Sequence, residues 1–274
     1  MLRAAILFAL LTGIFLAIGF FVAGTAGMTL ALVLAMGMNM FSYWFSDKIV
    51  LAMYRAKEIT KSQNPKIHRI VEKVAEEADI PKPKVYMIDT EVPNAFATGR
   101  NKNHASVAVT KGIMKTLNES ELEGVLGHEI SHVKNRDILT SSIAATLGGA
   151  IAFIAQMAWF GLVGSDRRNN SAILLPMLIL APIAATMIQL AVSRSREYVA
   201  DHDGAVLTKN PLGLASALEK IESSVKQHPM KGNAASSHLF IVNPFKADTF
   251  VSLFSTHPAT AERVRRLEKL AKSM

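Results

Sequence analysis

The chain has 274 residues, 50% of them hydrophobic, 19% charged and 7% aromatic, with a mean hydropathy of +0.25. That composition excludes a disordered chain and argues against a protein living wholly in water. The lack of cysteine excludes disulfides, thiolate metal sites and cysteine nucleophiles, and the net charge of +8 has meaning only once the basic residues are located.

From Ala4 to Ala23 the chain is uncharged, and from Met28 to Phe45 it is uncharged again, with Gly24-Thr25-Ala26-Gly27 between as a tight turn. A secretory signal would stop after one such run, so a retained membrane hairpin is expected. A polar segment follows. Asn64 is placed to cap a helix that starts at Pro65 and shows Ile67, Ile70, Val71, Val74 and Ala78 as its apolar face, ending before Pro81 and Pro83. Three short runs, Val85–Ile88, Ala95–Thr98 and Ser106–Val109, predict a small three-stranded sheet. Asn118 with Glu121 three residues on forms a capping box, opening a helix with Leu122, Val125, Leu126, Ile130 and Val133 on its apolar face.

That helix carries His128-Glu129-Ile130-Ser131-His132. One helical turn separates the two histidines, so both imidazoles can reach one zinc ion, while Glu129 lies about 100° round the helix, where it can act on an attacking water. The third ligand is not of the metzincin kind, because Asn135 and Ile138 stand where that class needs glycine and histidine. The surrounding Glu119, Glu121, Glu123, Lys134, Arg136 and Asp137 place the motif in water and not inside a span.

Ile138 to Val163 and Ser171 to Ser193 are again uncharged, joined by the polar loop 164–170, with Pro176 and Pro182 inside the second run. All four runs approach or exceed the ~20 residues that cross a bilayer. After the last run comes Arg196-Glu197-Tyr198-Val199-Ala200-Asp201. Glu197 and Asp201 face the same way, so one carboxylate can bind metal while the other orients a ligand histidine through its second ring N–H. An antiparallel hairpin brings both of its ends to one membrane face, within about 10 Å of which both motifs would sit.

All but three of the 30 basic residues, and all but one of the 22 acidic ones, fall in 47–137 and 194–274. The positive-inside rule makes these segments and both termini cytoplasmic. The charge is mixed and no nucleic-acid surface is expected; the basic excess suits an anionic lipid bilayer. The expected organisation is a membrane hairpin over 1–46, the first part of a metalloprotease body over 47–137, a second hairpin over 138–193 and the rest of the body over 194–274. His68, His104, His228 and His238 have no metal-like spacing and are expected at the surface, and His202 is expected to point away from Glu197.

The chain resembles the HtpX family of membrane zinc endopeptidases, relatives of the CAAX-prenyl protease. The resemblance rests on His128–His132, Arg196–Asp201, Asn94-Ala95-Phe96-Ala97-Thr98-Gly99, and Thr256-His257-Pro258 followed by Arg263. It implies a mainly α membrane protein with four transmembrane helices and an α+β gluzincin-type protease domain. The implied role is quality control and stress response at the bacterial inner membrane, on damaged or misfolded membrane proteins. The resulting reading has His128, His132 and Glu197 holding one Zn²⁺, Glu129 as general base and Asp201 behind a ligand histidine. His257 is the candidate oxyanion donor, and Asn94, Ala95, Phe96, Ala97 and Thr98 form an edge strand for polypeptide substrates. The competing reading is a membrane transporter or scaffold with a non-catalytic zinc. It would want facing polar residues in the spans, which hold few: Thr12, Thr25, Thr140, Ser141, Ser142, Gln156 and Gln189.

Overall fold

The computed structural model describes residues 2–143, 194–227, 240–242 and 258–274. The second hairpin beyond residue 143, the 164–170 loop, His228, His238, Thr256 and His257 lie outside the described residues.

Helix α1 (Leu2–Met53) folds back on itself at Ala23 and Gly24, where the backbone leaves helical geometry. Gly24 takes φ +58°, a left-handed value that glycine adopts without a Cβ penalty. The two arms touch: Asn39 Nδ2 donates to Thr12 Oγ1 at 2.9 Å across the hairpin. Leu30, Val33, Leu34, Met36, Met40, Phe41 and Trp44 are exposed, an apolar surface far larger than water tolerates. Among the described residues one segment, Ala23–Met53, is long and apolar enough to cross a membrane.

The body is mostly helical around a small mixed sheet. Helix α2 (Pro65–Glu77) starts as expected, with the Asn64 side chain accepting from Ile67 N at 3.3 Å. Among the described residues the sheet has four strands and not the three expected: β1 (Lys57–Glu58), β2 (Lys84–Ile88), β3 (Ala95–Gly99) and β4 (Ala105–Thr110), in the order β1-β2-β4-β3. β2 and β4 run parallel and the other pairs antiparallel. Two charged residues cannot show alternation, which is why β1 escapes sequence reading. Helix α3 (Lys111–Thr116), capped by Thr110, is likewise too short for a period.

Both sheet faces are covered. Val85, Ala95, Ala97, Val107 and Val109 join the main core, with α2, α4 (Glu119–Lys134) and α6 (Pro211–Gln227). Ile88, Phe96 and Ala108 point the other way, onto Val50 and Leu51 at the end of α1. His68 is a correction: it is buried, with Nε2 3.0 Å from Ile59 O, a structural contact linking α2 to the segment beside β1. Helices α5 (Arg194–Thr208) and α7 (Thr260–Ala271) complete the described body.

Candidate metal centre and active site

The capping box at α4 forms as read, with Asn118 Oδ1 accepting from Glu121 N at 2.9 Å and Glu121 Oε2 from Asn118 N at 3.0 Å. Glu121 also accepts from Ser216 and Lys220, fastening the start of α4 to α6. Farther along, α4 crosses α5 at Gly127 and Gly204. A Cβ on Gly204 would lie 2.6 Å from His128 N, and one on Gly127 would lie 2.9 Å from Gly204 O. Only hydrogen fits at this crossing, and the contact carries Glu197 on α5 to the histidines on α4.

The structure therefore brings together His128, His132 and Glu197. The two Nε2 atoms are 3.3 Å apart, His128 Nε2 is 3.5 Å from Glu197 Oε2, and His132 Nε2 is 3.6 Å from Glu197 Oε1. His128 and Glu197 are buried and His132 is partly open. The second ring nitrogens turn outward to carboxylates: His128 Nδ1 lies 2.9 Å from Asp201 Oδ1, and His132 Nδ1 lies 3.3 Å from Asp137 Oδ2.

Charge is concentrated here. Burial opposes a proton on His128, but the hydrogen bonds of Asp201 and Glu197 outweigh it and hold the imidazole up at about 9. Burial also opposes the Asp201 anion, yet Arg263 and His128 press its pKa down to about 2. Glu129 is buried and its pKa is raised by desolvation despite the two histidines, and Ala97 N donates to its Oε2 at 2.9 Å.

Among the described residues β3 is the edge of the sheet, on the side of Glu129. Thr110 N donates to Asn94 O, while Ala97 N turns away from β4 to Glu129. Antiparallel alternation then points the main-chain groups of Ala95, Ala97 and Gly99 outward and those of Phe96 and Thr98 to β4. The side chains of Asn94 and Thr98 serve the scaffold: Asn94 Oδ1 accepts from Ile241 N, and Thr98 Oγ1 lies 2.7 Å from Ser142 Oγ. His202 points away from the site, to Asp203.

Sequence reading missed the role of Arg263. It is 1% exposed and grips both Asp201 oxygens, Nε at 2.8 Å and Nη2 at 2.7 Å, while Nη1 donates to Ile241 O. A signal was present: Thr260, Arg263, Val264 and Leu267 share one helical face, so a charge stands in an apolar stripe.

Residues 61–271 match peptidase family M48. The chain is 53% identical over 278 residues to the "Protease HtpX homolog" of Pyrococcus furiosus, covering 99% of this chain and 96% of that one. It is 51% identical over 274 residues to the protein of the same name from Aquifex aeolicus, covering 96% and 90%. Among solved structures it is similar to Ste24p of S. mikatae, with a TM-score of 0.54 and 18% identity, over 93% of this chain and 61% of that one. The last likeness is one of fold.

Proposed function

This chain belongs to peptidase family M48 and is a membrane-associated metalloprotease, and from that premise we propose that it is a zinc endopeptidase whose metal is held by His128, His132 and Glu197. The supporting observation is the closeness of the donors: one ligand atom from each of His128, His132 and Glu197 lies within 4.8 Å of the other two, and the two Nε2 atoms are 3.3 Å apart. Tetrahedral ligands at the usual zinc distances sit about 3.3–3.4 Å apart. Two imidazoles and a carboxylate are also the donor set of hydrolytic zinc sites that leave one position open.

A zinc ion bound there supplies Lewis-acid activation of water and of the peptide carbonyl. The chain does the rest. Glu129 takes a proton from the attacking water and passes it to the departing amine. The N–H of Ala97 fixes that carboxylate beside the edge strand, and its raised pKa suits a group that must both take and release a proton. Asp201, clamped by Arg263, accepts from His128 Nδ1 and keeps its Nε2 lone pair turned inward. A peptide added along β3 meets the outward carbonyls of Ala95 and Ala97, and main-chain pairing tolerates many side chains. That breadth fits damaged or misfolded proteins, membrane proteins included, as substrates. His257 is kept as the candidate donor to the oxyanion.

In detergent, the purified chain is expected to cleave an unfolded polypeptide, to lose that activity with a strong chelator and to regain it with zinc. Activity indifferent to the chelator would overturn the metal reading. The transporter or scaffold alternative gains no support from these relatives.

The proposed topology has four spans in a bacterial-type inner membrane, with the body and both ends of the chain cytoplasmic. No native cysteine interferes with labelling. A cysteine at Thr25 is expected to react from outside intact cells, and one at Ser62 only after permeabilisation. The reverse pattern would invert the assignment.

A further inference from the structure

The metal ligand His128 is held by a carboxylate that is itself held by an arginine. A second such chain stands on the opposite side of the site. His132 Nδ1 lies 3.3 Å from Asp137 Oδ2, and the other oxygen of Asp137 lies 2.6 Å from Arg196 Nη1. We propose that Asp137 and Arg196 are a positioning pair for His132, matching what Asp201 and Arg263 do for His128. The inference rests on the reading of His132 as a zinc ligand.

The backbone is bent to make this contact. Five residues along a continuous helix would turn Asp137 about 140° away from His132. Instead α4 ends at Asn135, and Arg136 takes φ +59°, a left-handed value uncommon for a residue with a Cβ. The chain doubles back, Asp137 N donates to His132 O at 2.9 Å, and the carboxylate comes to rest beside Nδ1 of the ring. Left-handed geometry at a bulky residue persists where surrounding contacts fix it. Those contacts are present: besides Asp137 with Arg196, Asn135 Nδ2 donates to Asp203 Oδ2 at 2.9 Å. Both tie the end of α4 to α5.

Arg196 immediately precedes Glu197. One ion pair therefore orients an imidazole and sets the approach of the helix that brings the carboxylate ligand. The two arms differ in enclosure. Side chains of His128, Asp201 and Arg263 are 1–4% exposed, whereas those of His132, Asp137 and Arg196 are 16%, 9% and 24% exposed. Water screens the outer arm more, so its loss should cost less than loss of the inner one.

A plainer role is available for Asp137, because residues 138–143 are helical and aspartate is a common cap for a helix start. Serine caps as well but cannot reach His132, so Asp137→Ser separates the two roles. Zinc affinity of the metal-stripped full chain in detergent is measured by competition with a chromophoric chelator, alongside the absorption spectrum of the cobalt-loaded protein. Asp137→Ser is expected to weaken zinc by about 10–100-fold and to alter the cobalt spectrum. Asp137→Asn should retain part of the affinity, and Arg196→Lys should stay closer to the parent than Arg196→Ala. In the Asp137→Ser background, Arg196→Ala should add little, as for two members of one unit.

A parental zinc curve and cobalt spectrum for Asp137→Ser would make the carboxylate only a helix cap and overturn the proposal. Fully additive losses would also overturn it, because the residues would then act separately. If Asp137→Ser lowers the melting temperature of the metal-free protein, the Asp137→Asn and Arg196→Lys results decide instead. His132→Ala is the control for the underlying reading. If it keeps parental affinity, the ligand assignment itself fails. If it loses zinc while Asp137→Ser does not, only the pair fails.

Discussion

Glu129→Gln is expected to keep its zinc while cleavage of an unfolded polypeptide falls by about 10²–10⁴-fold. Glutamine has nearly the same shape, and its amide oxygen can still accept the Ala97 N–H that holds Glu129 at 2.9 Å. What it lacks is a site for the proton of the attacking water. Metal analysis and a peptide assay on the same preparation test both halves. Parental turnover would remove Glu129 from the chemistry, and loss of zinc would make it a ligand and not a base.

Arg263→Ala carries the largest expected cost in stability. Asp201 is buried with its pKa pressed down to about 2, more by Arg263 than by His128. Removing the guanidinium leaves a carboxylate in the core with His128 as its remaining charged partner, and breaking a buried pair in this way costs about 3–5 kcal/mol, a fall in Tm on the order of 10 °C for a domain of this size. Lysine cannot reproduce the two-point grip, so Arg263→Lys should recover only part of the loss. Replacing Arg263 and Asp201 together by leucine removes both charges and should cost less in metal-free stability than Arg263→Ala alone. If the double replacement were the worse of the two, the stranded charge would not be the cause.

The site was legible in the sequence wherever its logic is local. One helical turn separates His128 from His132, another separates Glu197 from Asp201, and Asn118 with Glu121 is a cap written within four residues. Burial of β3 on both faces was harder to see, because the covering groups come from α1 and α4, far along the chain. Asp137 has no periodic relation to His132. It arrives there through a left-handed turn at an arginine, and nothing in the composition of that turn announces it. The mutual approach of α4 and α5 depends on Gly127 and Gly204 meeting across the crossing. Each glycine alone reads as an ordinary small residue. His68 was misread because a histidine on a mixed helix looks solvated until a backbone carbonyl is found against its ring.

The end of α1 is built into the body that it precedes. Val50 and Leu51 belong to the helix that carries the exposed apolar surface, yet they pack beneath the sheet with Ile88, Phe96 and Ala108. Tyr54 meets the rings of Phe96 and Phe240 at 5.4 and 5.8 Å, and Arg100, just past β3, lies over Trp44 at 4.6 Å. Anchor and catalytic body thus share a core, and no loose tether joins them. A cut between residues 46 and 47 would leave Val50, Leu51 and Tyr54 with the body and remove the Trp44 ring that lies against Arg100. Helix and strand thus move as one lever: whatever fixes the end of α1 also fixes β3, the strand whose Ala97 N–H holds Glu129.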